Sequence, residues 1–175
     1  MKGILSLIIS QGESTFIAAH VNVPRYAGVD ADADWVVKTR EIVKYRPHFR
    51  FHFSDIGRTR AFSFPTKSHN KNFYNYQIES LMAELEPFDF YLIDGRYRVA
   101  CAIMSFLHAM KYGADMTKVR VGIHDNDKVR RGYHVMKRLA NVRIERKKLW
   151  VYELMKNTTE DDLFNLYHEI KFNTW

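Results

Sequence analysis

Apolar residues fill both alternate positions from Phe90 to Ile93, a pattern typical of a strand covered on both faces. Asp94 and Gly95 follow, and a strongly apolar helical run extends from Arg98 to Tyr112. This stretch predicts a buried strand, a sharp turn and a helix. The turn places a carboxylate where open α/β sheets bind ligands, although an isolated Asp-Gly pair is also an ordinary turn.

The same alternation of strand and helix patterns recurs along the chain. Seven strands are predicted, at Gly3–Ser10, Tyr26–Asp30, His48–Ser54, Phe90–Ile93, Lys118–Ile123, Val142–Arg146 and Leu149–Leu154. Helices are predicted at Phe16–Val21, Asp32–Lys44, Tyr76–Leu85, Arg98–Tyr112, Lys128–Leu139 and Thr158–Phe172. The order ends in a hairpin, and no repeat or linker interrupts it. We therefore predict one α/β domain over residues 1–175.

Composition agrees with a single packed domain, since 46% of the 175 residues are hydrophobic and 14% aromatic. The one cysteine, Cys101, lies in an apolar helical run and cannot close an intrachain disulfide. The apolar stretch Ile4–Ile9 is short and fits a first strand better than a secretion signal. We expect a cytoplasmic protein with no membrane span and no membrane partner.

Basic residues outnumber acidic ones by 27 to 20, and many lie in the last third of the chain. The basic residues there are Arg120, Lys128, Arg130, Arg131, Lys137, Arg138, Arg143, Arg146, Lys147 and Lys148. Such a surface could bind nucleic acid, an anionic sugar or a phosphorylated substrate. A solvated helix and hairpin face accounts for it equally well.

Four aspartates end predicted strands, at Asp30, Asp55, Asp94 and Asp125. Carboxyl ends of parallel strands meet at one edge of a sheet, so these side chains are expected to surround one crevice. Asp30 is placed to bond both ribose hydroxyls of a nucleotide, because a carboxylate accepts two donors. Asp30-Ala31-Asp32 could alternatively be the metal-binding pair of a nucleotide-sugar glycosyltransferase.

Five sequence blocks resemble class I S-adenosylmethionine-dependent methyltransferases, in particular methyltransferase-like proteins with an Asp-Gly-Arg-x-Arg motif. The blocks are Gly12-Glu13-Ser14-Thr15, Asp30 with Asp34-Trp35, Asp55-Ile56-Gly57, Ile93-Asp94-Gly95-Arg96-Tyr97-Arg98-Val99-Ala100 and His124-Asp125. The resemblance implies a Rossmann-like three-layer sandwich around a mostly parallel seven-stranded sheet with an antiparallel C-terminal hairpin strand. Ser10 and Glu13 stand where this family has glycines.

The resemblance also implies roles for individual residues toward S-adenosylmethionine. Gly12, together with Ser14, would approach the methionine moiety, and Asp30 the ribose. Asp55 and Ile56 would contact the adenine. Asp94 would meet the cofactor's amino group or the substrate. The helix that commonly covers the cofactor in this family has no counterpart before the first strand, so a partner subunit of a homo-oligomer could supply that cover.

Candidate catalytic groups follow the fourth and fifth strands. By residue type His124 is the general base for a hydroxyl acceptor, beside Asp94 and Asp125. Asp94, Asp125 and Asn126 also match the Mg²⁺ ligands of catechol-type O-methyltransferases, although Asp125 and Asn126 could instead cap the next helix. Arg96 and Arg98 could hold a substrate carboxylate or phosphate bidentately, or they could pair with nearby acids.

The leading hypothesis is methyl transfer to oxygen of a small or saccharide-like acceptor. The second is a catalytically degenerate scaffold that binds nucleic acid or a protein through the basic last third. A glycosyltransferase ranks third.

Overall fold

The computed structural model describes residues 5–9, 13–44, 46–58 and 72–173, with the backbone alone in 5–9. Its strands are β1 (Leu5–Ile9), β2 (Arg25–Asp30), β3 (Phe49–Phe53), β4 (Phe90–Ile93), β5 (Arg120–Ile123), β6 (Ala140–Arg146) and β7 (Leu149–Leu154). Its α-helices are α1 (Glu13–His20), α2 (Ala33–Ile42), α3 (Ser80–Met82), α4 (Arg98–Lys111) and α5 (Glu160–Ile170). This combination of strands and helices confirms the predicted α/β class.

One sheet joins the strands in the order β3-β2-β1-β4-β5-β7-β6. The first five run parallel, and β7 lies antiparallel between β5 and β6. The chain adds strands on one side of β1 and then crosses to β4 on its other side. This reversal makes the carboxyl ends of β1 and β4 the point where sheets of this type open a ligand crevice.

Two hydrophobic cores cover opposite faces of the sheet, because consecutive strand residues such as Tyr26 and Ala27 belong to different cores. The larger core packs α4 and α5 against the side chains of Tyr91, Trp150 and neighbouring strand residues. The smaller core contains Ala18 of α1 with Tyr26. Helices on both faces agree with the expected layered arrangement.

Local signals for helix ends are largely confirmed. Asp32 caps α2 by accepting a hydrogen bond from the amide of Trp35, and Thr159 caps α5 in a capping box with Asp162. Gly113 follows α4 with φ +70, a conformation that favours glycine. These caps use contacts three or fewer residues apart, which a sequence pattern can reveal.

Two predicted helices differ from the structure. In place of the first turns of a helix from Tyr76 to Leu85, residues Asn75–Glu79 form a π-helical turn with three consecutive buried residues. In place of an amphipathic α-helix from Lys128 to Leu139, Arg131–Arg138 is a 3₁₀ helix. Its buried side chains, Tyr133 and Met136, are three residues apart, the spacing that aligns side chains on a 3₁₀ helix.

Candidate active site at the ends of β4 and β5

Asp94, His124 and Asp125 meet beside the ends of β4 and β5. His124 Nδ1 lies 2.8 Å from Asp94 Oδ1 and 3.7 Å from Asp125 Oδ1. All three side chains are partly exposed, so a ligand could reach them. The structure thus brings together the three residues that the sequence proposed as catalytic.

Arg98 holds these two strand ends together. Its Nε donates to the carbonyl of Gly95 at 2.8 Å, and its two Nη groups donate to the carbonyls of His124 and Asp94 at 2.6 and 3.3 Å. Its guanidinium also lies 3.2 Å from Asp125 Oδ2 and 3.7 Å from Asp94 Oδ1. Arg98 is only 4% exposed. These contacts fit the alternative that Arg98 pairs with nearby acids, and they favour a structural role over a substrate contact for this residue.

Two residues in the turns that Arg98 braces have left-handed backbone conformations. Tyr97 has φ 52 and Asp125 has φ 54. Such conformations are uncommon for residues other than glycine, and they persist where surrounding contacts hold them. The carbonyl contacts of Arg98 supply that restraint here, so its side chain fixes where Asp94 and Asp125 stand.

Further cations surround Asp125. Arg130 Nη1 lies 3.2 Å and Lys148 Nζ 3.9 Å from its carboxylate oxygens. Burial alone would raise the pKa of Asp125, but Arg98, Arg130 and His124 hold that pKa below its usual range. Asp125 is therefore a stable carboxylate at neutral pH. The sequence did not assign Arg130 or Lys148 to this site, because nothing local links either residue to Asp125.

Asn126 was predicted to be a metal ligand, but its environment differs from that of the partly exposed Asp94 and Asp125. It is fully buried, and its side-chain amide donates to the Tyr152 hydroxyl at 2.7 Å. Among the described residues, the oxygen and nitrogen atoms able to hold a cation together come instead from Asp94, His124 and Asp125, within 4.8 Å of one another. Asp127, and not Asp125 or Asn126, caps the next turn by accepting from the amides of Val129 and Arg130.

Arg96, in the turn after β4, contacts Tyr76 of the preceding helical segment. Arg96 is half-buried, and burial together with the nearby Arg98 lowers the pKa of its guanidinium. The Arg96 amide donates to the Tyr76 hydroxyl, which burial keeps protonated by raising the pKa of Tyr76. Arg96 remains the residue that is predicted to contact the substrate that accepts the methyl group. Only the fold brings residues 76 and 96 together, so the sequence does not reveal this contact.

Those residues predicted to hold the cofactor that the structure describes lie along the same edge of the sheet. Asp30 ends β2 and accepts from the amide of Asp32, whereas Asp32 itself caps α2. Asp30 thus stabilises a turn and Asp32 caps a helix. These local roles argue against the two residues being the metal-binding pair of a glycosyltransferase. Ser14 is half-buried in the first turn of α1. Gly12 lies outside the described residues.

The two residues predicted to contact the adenine, Asp55 and Ile56, both lie in the turn after β3, but one is exposed and the other is buried. Asp55 is exposed, and its carboxylate accepts from the amide of Gly57, which has φ 78. Ile56 is 2% exposed and packs into the larger core. Its side chain is therefore committed to the protein, which leaves its backbone as the part able to face an adenine.

No protein-family model matches this sequence, and no curated protein matches it as a relative. Among solved structures, a methyltransferase-like protein from Silicibacter pomeroyi aligns with 99% of this chain and 89% of its own, at a TM-score of 0.73 and 18% identity. The chain has a methyltransferase fold. The N-methyltransferase NodS from Bradyrhizobium japonicum aligns more loosely, with a TM-score of 0.48 and 11% identity over 89% of this chain and 88% of its own.

This likeness confirms the methyltransferase fold inferred from the five sequence blocks and leaves the Asp-Gly-Arg-x-Arg subgroup as a prediction. None of the helices in the described part of the chain is both long and apolar enough to cross a bilayer.

Proposed function

We propose that this protein is an S-adenosylmethionine-dependent methyltransferase acting on a hydroxyl of a small or saccharide-like acceptor. The observation that carries the proposal is the His124–Asp94 hydrogen bond at the ligand-binding edge of a methyltransferase fold. A histidine oriented by a carboxylate is an arrangement well suited to removing a proton from a hydroxyl. The fold similarity spans nearly the whole chain, which supports using the same edge for the cofactor.

The residues along this edge fit the cofactor chemically. Asp30, at the end of β2, offers carboxylate oxygens to ribose hydroxyls, and Asp55 follows β3 on the side expected for the adenine. Asp94 ends β4, on the opposite side of β1 from Asp30. When bound, S-adenosylmethionine supplies a methyl group already activated by its sulfonium, so the protein mainly aligns the acceptor.

His124 removes the acceptor proton in this proposal. Its Nδ1 donates to Asp94, so Nε2 is the nitrogen left to accept a proton. The imidazole is 43% exposed, which gives an acceptor hydroxyl access to it. Asp94 fixes the tautomer and stabilises the imidazolium that forms after proton transfer. Arg96 then positions a polar or anionic group of the acceptor.

We propose base catalysis by His124 over Mg²⁺ catalysis. Arg98, Arg130 and Lys148 already surround the Asp125 carboxylate. A divalent cation bound between Asp94 and Asp125 would stand beside the buried guanidinium of Arg98 and would be repelled by it. The charges present thus favour proton transfer to a histidine.

Isothermal titration with S-adenosylmethionine tests the cofactor assignment. We expect micromolar binding that Asp30→Ala abolishes. Asp161→Ala is the matched control, because Asp161 is an exposed acid in the first turn of α5 and its loss should leave the affinity unchanged. Absence of binding at millimolar cofactor, or equal losses in both variants, would contradict the proposal.

A further inference from the structure

A second basic surface lies on the edge of the sheet formed by β3. It includes Arg40 in the last turn of α2, Lys44 and Arg46 in the connection to β3, and Arg50 within β3. These four cations line a groove of about 400 Å³ that has no acidic lining residue among the described residues. We infer that this β3-edge groove binds the phosphate backbone of single-stranded nucleic acid.

The side chains in the β3-edge groove are positioned for phosphate. The Arg40 guanidinium lies 5.8 Å from the centre of the Phe51 ring, and that of Arg46 lies 5.7 Å from the centre of the Phe49 ring. A ring beneath a guanidinium restricts its rotation and leaves its N–H edges available to bond an oxyanion. Arg46 also donates to Asn22 at 3.0 Å, which fixes it further.

The favourable interaction of cations with the carboxyl end of a helix explains only part of this surface. Arg40 lies in the last turn of α2, where cations interact favourably with the helix dipole. Arg46 and Arg50 lie beyond the helix, so the dipole does not explain them. Arg50 is half-exposed although it contacts the buried carboxylate of Glu84, and it therefore presents charge to both the protein and the solvent.

The groove continues along the strand. A neighbouring groove of about 430 Å³ shares Pro47 and Arg50 with the first and adds Arg25, His48 and the exposed Glu86, whose carboxylate lies 3.4 Å from Arg25. Because Arg25 is paired with Glu84 and Glu86, the excess positive charge lies in the β3-edge groove itself, where four separate cations suit a linear polyanion better than a single phosphate ion. The location near the amino end of β3 separates this surface from the catalytic edge, where strands end.

The basic last third of the chain is a weaker candidate once its ion pairs are known. Arg120 and Arg143 both contact Glu153, and Arg138 contacts Glu169. In the described residues, neither Arg40 nor Lys44 forms an ion pair. Arg146 and Lys147 of the last third have no acidic partner among the described residues either, but the β3-edge groove is favoured because no described acidic residue lines it.

The test is fluorescence anisotropy of a labelled 20-nucleotide RNA, measured from 50 to 300 mM salt. Arg40→Gln with Lys44→Gln removes two exposed charges from the groove. Arg146→Gln with Lys147→Gln removes two exposed charges from the hairpin turn and is the matched control. Circular dichroism on both variants checks folding, which these exposed positions should not disturb.

We expect the groove variant to lose roughly 50-fold in affinity at 50 mM salt, and its salt slope to fall by about 1.4 because two phosphate contacts disappear. The hairpin variant should bind like the unmodified protein. Absence of salt-dependent RNA binding, or a loss confined to the hairpin variant, would overturn the inference. Tighter binding of heparin oligosaccharides than of RNA would overturn the choice of nucleic acid as the ligand. Unchanged cofactor titration in the groove variant separates this test from that of the proposed methyltransferase.

Discussion

Replacing Arg98 should damage the stability of the chain as well as the site, because one buried guanidinium bridges two turns. Arg98→Ala removes donors to the carbonyls of Gly95 and His124, at 2.8 and 2.6 Å, and a longer bond to Asp94. Hydrogen bonds from a charged donor contribute roughly 1.5–3 kcal/mol each. With two strong bonds lost, and Arg130 still beside Asp125, we expect a loss of about 4 kcal/mol in unfolding free energy.

A conservative variant separates charge from geometry. Arg98→Lys keeps the positive charge near Asp94 and Asp125 but cannot bond several carbonyls at once, so we expect a loss of about 2 kcal/mol. Arg131→Lys makes the same change at an exposed position and should stay within about 0.5 kcal/mol of the unmodified protein.

Urea unfolding monitored by far-ultraviolet circular dichroism measures all three variants. A loss under about 1 kcal/mol for Arg98→Ala would refute the structural role of this residue. So would equal stability of Arg98→Lys and Arg131→Lys.

Four other predictions concern Glu84, Thr159 and His124. Glu84→Gln should cost about 2 kcal/mol, because the fully buried Glu84 carboxylate contacts Arg25, Arg50 and His52; a loss within 0.5 kcal/mol in urea unfolding would contradict this. Burial by itself raises the pKa of Glu84, but its three partners lower that pKa below its usual value. The stability that the Glu84 carboxylate contributes to the fold should therefore be complete above about pH 4.3 and decrease as the pH falls through the lower pKa of the folded state. Equal acid sensitivity of Glu84→Gln and the unmodified protein would count against this prediction. Thr159→Ala should cost about 1 kcal/mol by removing the α5 cap, whereas Ser14→Ala should cost less. Methyl transfer should survive excess EDTA but fall at least 100-fold in His124→Ala; loss of activity on chelation, restored by Mg²⁺, would support the metal mechanism instead.

The order of elements and several side-chain roles could be predicted because their causes are local. Asp32, Gly113 and Thr159 act on backbone within a few residues, and the apolar run Phe90–Ile93 predicts burial by itself. His124 was placed beside Asp94 because both follow neighbouring parallel strands, whose ends meet wherever such a sheet forms.

Other features depend on distant pairing, and sequence patterns do not record them. The sequence pattern of β3 does not reveal that Arg50 and His52 converge on Glu84, more than 30 residues later. The sequence left Arg98 either to a substrate or to nearby acids, and only the fold places the His124 carbonyl beside its guanidinium. The π-helical turn at Asn75–Glu79 arises where Gln77 bonds Tyr167 and Lys171 of the C-terminal region.

A crystal structure with S-adenosylhomocysteine tests the central claim most directly, since it locates the cofactor without requiring a known acceptor. The account predicts ribose density at the Asp30 carboxylate and the amino acid part of the ligand near Asp94, with the His124–Asp94 bond intact. Ligand bound away from the ends of β1, β2 and β4, or no ligand in crystals grown at millimolar concentration, would contradict it.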